Sequence, residues 1–271
     1  MSFRQKLKQA WENNNSLVCV GLDPDMHRLP EGLSRDKTGL LEFCTSIIDA
    51  TADLVCAFKP QIAYFAALSA EDVLLKTMDY IRDNYPDVPI ILDAKRSDIG
   101  STAKQYALEA FQRFGADAVT VNPYLGGDAL APFLEHADKG VILLCRTSNP
   151  GAAEIQDLEI EGEPLFLRVA EKAANEWNYN SNCALVVGAT WPNQLRRVRE
   201  IAGNMPILVP GVGAQGGSAA EVVNNGTDAD GAGLIINSSR GVIYASQRTD
   251  FPDAARQEAK KLRDLVNQAR V

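Results

Sequence analysis

Eight short apolar runs, each followed by a stretch with helical periodicity, restrict this chain to very few folds. The runs lie at 16–22 (SLVCVGL), 54–58, the start of 90–103 (IILDAKRSDIGSTA), 118–121, 140–145 (GVILLC), 183–187 (CALVV), 206–209 and 233–236. Helical patterns fill 37–53, 63–84, 100–114, 126–136, 164–177, 192–202, 218–224 and 251–269, and an amphipathic helix takes up the first fifteen residues. Strands that alternate with helices build a parallel sheet, and eight such units close into a (β/α)8 TIM barrel of the α/β class. At 271 residues, 46% of them hydrophobic, the chain has the size of one such barrel or of two small domains. No linker, repeat or low-complexity tract marks a boundary, so a single domain over 1–271 is expected. The polar, acidic segment 149–163 reads as its longest loop.

Composition removes several kinds of function. A formal charge of -8 with no Lys/Arg-rich run argues against a nucleic-acid surface, which depends on neutralising phosphates. The first fifteen residues lack the apolar centre of a signal peptide, and no run approaches the length that spans a bilayer. Five scattered cysteines show neither CxxC nor Cys/His ligand spacing, which suits buried thiols in a reducing cytoplasm and offers no metal site.

What the strand ends carry is more informative. Asp23 closes the first run, Lys59-Pro60 the second, and Arg146-Thr147-Ser148 the fifth; the third ends in Asp93, Lys95 and Asp98. Side chains of a strand alternate faces, so Asp93 and Lys95 project together while Ala94 points away. Pro210 to Gly217 is glycine-rich and runs into a helix, and Arg240-Gly241 follows the eighth run. Loops after the seventh and eighth strands of a barrel often hold phosphate on backbone N–H groups, and Arg240 adds a charge with bidentate geometry. Any one of these residues alone is as readily a turn, a cap or a solvated charge. Together they would line one mouth of a barrel, where such enzymes keep their sites.

The third strand's stretch, Asp93-Ala-Lys95-Arg-Ser-Asp98-Ile99-Gly100-Ser-Thr102, resembles the DxKxxDI(A/G)xT signature of the orotidine 5'-phosphate decarboxylase family, and the whole chain resembles its longer bacterial form. That resemblance implies conversion of orotidine 5'-phosphate to UMP and CO2, without cofactor, as the last step of de novo pyrimidine nucleotide synthesis. It adds Lys59 and Asp98 to Asp93 and Lys95 as a Lys-Asp-Lys-Asp catalytic array whose charges sum to zero. It implies that Asp23 and Lys59 contact the ribose hydroxyls and that Ser148 reads the pyrimidine amide, although RTSNPG departs from the commoner context. The loops carrying Pro210, Gln215, Arg240 and Gly241 would hold the phosphate, with Gln215 also reaching toward the pyrimidine. Asp98, Ile99 and Thr102 would enter a neighbouring subunit's pocket, making the active unit a homodimer.

The chemistry is consistent with those residue types. Loss of CO2 leaves a carbanion at C6 with no carbonyl placed to delocalise it. An ammonium flanked by carboxylates, Lys95, can stabilise that charge and then donate the proton. Asp93 beside the departing carboxylate would add a smaller ground-state repulsion. The near rival is another phosphosugar decarboxylase or aldolase of the same barrel superfamily, which would need Mg2+ and acidic ligands where this chain has Lys59. The rival from another class is a noncatalytic nucleotide-binding barrel, which has no use for Asp93, Lys95 and Asp98 together.

Overall fold

The computed structural model describes residues 1–212 and 217–270. Five of the runs form β1 (Val18–Leu22), β2 (Ala57–Pro60), β3 (Ile91–Arg96), β4 (Ala118–Val121) and β5 (Gly140–Arg146). A small antiparallel hairpin, β6 (Glu159–Ile160) and β7 (Glu163–Pro164), precedes the last three, β8 (Cys183–Val187), β9 (Ile207–Pro210) and β10 (Leu234–Ser238). The eight longer strands pair in parallel in the order β2-β1-β10-β9-β8-β5-β4-β3. Bridges Phe58–Ile90 and Gln61–Asp93 bring the two end strands together, so the sheet curls into the expected barrel.

Strands β1, β2, β4 and β8 are buried at every residue. That is why they read as continuous apolar runs: helices cover one face and packed side chains fill the other. Inside the barrel Cys19, Ala57, Ile91, Ala118, Ala184 and Ile235 form a core of their own, separate from the layer under the helices. Its floor is the N-terminal helix Phe3–Asn13, which begins in a capping box between Ser2 and Gln5 and turns Phe3, Leu7 and Ala10 into the barrel. Leu7 is fully buried, a contribution of about 2 kcal/mol. Phe3 fits because residue 140 is glycine; a Cβ there would stand 2.3 Å from its ring. Lys6 reaches Asp117 at 2.8 Å, and the same carboxylate oxygen accepts the Ile90 N–H, so the plug is tied to the start of β3. With that end closed, the mouth at the strand C-termini is the open one.

Several expected boundaries move. The second strand covers 57–60, not 54–58, because residues 52–54 continue the preceding helix as a 3-10 turn. Lys59 therefore lies within β2 and not beyond its end. The helix expected over 63–84 is two helices, Ile62–Ala66 and Glu71–Asn84, separated at Ser69, whose φ of +50° no helix interior accepts. Segment 149–163 is not a bare loop. It holds a 3-10 turn, the short helix Ala153–Gln156 and the hairpin, whose two-residue turn has positive φ at both Glu161 and Gly162. The loop after β10 contains an unexpected short helix, Arg240–Ile243. Among the described residues no helix is long and apolar enough to cross a membrane. All five cysteines are buried and unpaired, and burial pushes the Cys19, Cys44 and Cys145 thiols up to about 12.

Candidate active site

Asp93 is the centre of the mouth. Its side chain is 9% exposed, and its two oxygens are shared among three donors. Lys59 Nζ donates to Oδ2 at 2.7 Å, while Lys95 Nζ and Thr120 Oγ1 donate to Oδ1 at 2.6 and 2.9 Å. Three strands thus build the cluster: β2 supplies Lys59, β3 both Asp93 and Lys95, and β4 Thr120. Burial alone would push the Asp93 carboxyl up, but the ammonium groups of Lys59 and Lys95 outweigh it and hold the acid well below the usual carboxylate range. For Lys59, burial is likewise the largest single influence and opposes the charge. Asp93, then Asp23, overcome it, so the ammonium is held above its ordinary value. Lys59 and Asp93 are therefore each held in the charged form, with the Lys95 amine on the same carboxylate.

The two lysines differ in access. Lys59 is 5% exposed and committed to Asp93, whereas Lys95 is 48% exposed and presents its ammonium to the open mouth. Regular strand alternation is not what places it. Pairing between β3 and β4 slips between Leu92 and Arg96, and Lys95 adopts a left-handed φ of +46°. The bulge turns Lys95 back onto Asp93, a common use of irregularity next to active sites.

The remaining strand-end residues surround this cluster. Asp23 follows β1 with Oδ1 buried and without a hydrogen-bond donor among the described residues; Asn237 Oδ1, on β10, is in the same condition. The β1 and β10 exits lie in close contact because residue 21 is glycine, where a Cβ would stand 1.9 Å from Ser239 Oγ. Pro210 ends β9 and pairs with Asn237. Arg240 is exposed at the start of its short helix, and Gly241 beside it would accept a Cβ with only an ordinary contact to Ser238. Gln215 lies outside the described residues.

Ser148 is half-buried after β5, against Gly188, where a Cβ would come within 2.7 Å of the serine's own. The turn that carries it is held from behind. Fully buried Arg146 donates to Thr147 O and to Asp157 of segment 149–163, and its guanidinium lies 4.2 Å above the Trp191 ring. Gln156 accepts the Thr147 N–H at 2.8 Å. One role of the acidic segment is thus to brace the β5 exit.

Asp98, Ile99 and Thr102 do not join the cluster within the chain. Among the described residues Asp98 Oδ1 accepts only the Ile99 N–H, Ile99 is 58% exposed and Thr102 is exposed. Thr120 escapes the reading of strand ends, since it lies inside a run that looks like ordinary strand; Arg146 and Asn237 stand at the ends of their runs, where the sequence alone gives neither a role.

The sequence profile of the orotidine 5'-phosphate decarboxylase / HUMPS family matches residues 16–251. The chain belongs to this family. An orotidine 5'-phosphate decarboxylase of Ralstonia pickettii (strain 12J) is 57% identical over 270 residues, covering 100% of both chains. Among solved structures, an OMP decarboxylase of Leishmania donovani superposes with a TM-score of 0.88 at 38% identity, covering 100% of this chain and 99% of that one. The UMP synthase of the same organism gives 0.89 at 39% identity over 99% of this chain, which spans 56% of that longer protein. Within the family, the Lys59–Asp93–Lys95 cluster and the bulge that forms it are what the barrel mouth offers for chemistry.

Proposed function

We propose that the protein is a carboxy-lyase that decarboxylates orotidine 5'-phosphate to UMP and CO2, the last step of de novo pyrimidine nucleotide synthesis, with Lys95 as proton donor. The observation that carries this reading is the exposed Lys95 ammonium fixed on an ionised Asp93 at the open mouth of a barrel of this family. The C6–carboxylate bond breaks with its electron pair left on C6, CO2 departs, and an N–H of Lys95 closes the valence. The neutral amine then regains a proton from solvent. Lys59 keeps Asp93 ionised and, with Asp23, faces the ribose. The buried acceptors on Asp23 and Asn237 suit a ligand that brings hydroxyl donors, since buried polar groups ordinarily find partners. Ser148 is assigned to the pyrimidine amide, and Pro210, Gln215, Arg240 and Gly241 to the phosphate. Five unpaired thiols favour a cytoplasmic location.

The deciding experiment follows the absorbance change as orotidine 5'-phosphate becomes UMP. Turnover that persists in EDTA is expected. No turnover would sink the proposal, and strict dependence on a divalent metal would favour a metal-dependent phosphosugar decarboxylase or aldolase instead.

The active unit in this reading is a homodimer. Ile99, Tyr124 and Leu125 are exposed on the loops after neighbouring strands β3 and β4, beside Asp98 and Thr102, an apolar edge suited to a second copy. Lys95→Ala and Asp98→Ala are each expected to be inactive alone. Mixed by co-expression, half the dimers are heterodimers with one intact site of two, so about a quarter of wild-type activity should return. No recovery would show that each subunit completes its own site.

A further inference from the structure

A hydroxyl on β4 is bonded to both the backbone and the carboxylate of the reacting strand. Thr120 is 1% exposed within the apolar run of β4. Its Oγ1 accepts the Ala94 and Lys95 N–H groups, both at 2.9 Å, and donates to Asp93 Oδ1 at 2.9 Å. A threonine hydroxyl has one proton and two lone pairs, so all its capacity is used, and its proton is left only Asp93 to point at. The two N–H groups belong to the stretch where β3 loses register with β4 and Lys95 takes its left-handed backbone. A non-glycine residue holds such a conformation only where its surroundings enforce it.

We infer that Thr120 is a positioning residue for decarboxylation: its hydroxyl clamps the β3 bulge and aims Asp93, and so sets where the Lys95 ammonium stands relative to C6. The inference rests on the decarboxylase reading above. Among the described residues the Thr120 hydroxyl bonds only to Asp93, Ala94 and Lys95, which belong to the reacting end, so its loss should appear in kcat and not in substrate affinity. A displacement of about 1 Å in a reacting group can cost on the order of 100-fold in rate.

The test compares wild type with Thr120→Val, which keeps the shape but not the hydroxyl, and Thr120→Ser, which keeps the hydroxyl. Thr120→Val is expected to lower kcat about 10- to 100-fold with KM and UMP affinity within about threefold, and Thr120→Ser to restore most of the rate. Should the valine variant fail to fold, Thr120→Cys, with its weak thiol donor, is read in the same way. Valine turnover within twofold of wild type would overturn the inference. So would a serine variant as slow as valine, or a loss that falls on KM instead. An inactive wild type would strike at the decarboxylase reading, a separate outcome from any of these.

Discussion

Lys95→Ala should abolish turnover while the protein still folds and binds UMP. The side chain is about half exposed and makes a single ion pair, so its removal opens no cavity. Asp93 keeps Lys59 and Thr120 as donors. With the lysine about half in solvent, the pair is discounted toward the surface range of about 0–1 kcal/mol, and the melting temperature should change little. The rate is another matter. A positioned general acid is worth roughly 10²–10⁴, and a preorganised charge facing a developing anion on the order of 10²–10³. One ammonium supplies both, and such effects do not simply multiply, so a fall of roughly 10³–10⁴ in kcat is expected. Isothermal titration with UMP alongside the absorbance assay would check both halves. A variant that retains kcat within tenfold of wild type would remove Lys95 from the mechanism.

Much of this arrangement was legible because burial writes plainly into sequence. Runs 118–121 and 183–187, and helices 192–202 and 251–269, lie where periodicity predicts. Strands packed on both faces admit almost no polar residue, so a charge such as Asp93 or Lys95 stands out at the exit. What escaped depends on tertiary contact. Thr120 in AVTV reads as one more β-branched strand residue, and nothing local reveals that its hydroxyl faces a carboxylate 27 positions earlier. Lys59 was recognised, yet one turn of 3-10 helix shifted its strand and buried it. The Ser69 break hides in a helical pattern because a single residue of positive φ leaves no apolar trace. Arg146 looks like a polar strand end until Asp157 and Trp191 close over it. Asp98, Ile99 and Thr102 stand apart from the cluster within the chain, so the role proposed for them depends on a second copy.

Asp93→Ala should be costly in a different way, and its pH dependence should identify the cause. It leaves Lys59, 5% exposed, as a buried cation whose closest anion is gone. Removing one member of a buried pair typically costs about 3–5 kcal/mol, so a large loss of stability is expected together with loss of activity. In the wild type Asp93 is depressed, so its contribution is present above the unfolded value of about 3.9 and lost as pH falls through the folded one. Lys59 is raised, so its contribution is full below about 10.4 and lost only as pH rises through its folded value. The pair therefore makes wild-type stability flat between about pH 5 and 9. In the variant, burial of Lys59 is opposed mainly by Asp23 and should pull the amine below its ordinary value. Stability should then rise with pH from 7 to 9, because folding comes to favour the neutral amine. Denaturant melts at both pH values measure this directly, and adding Lys59→Met should restore stability without activity. A variant as stable as wild type, or one whose stability ignores pH across that range, would show that water reaches Lys59 freely and that Asp93 is not what holds its charge in place.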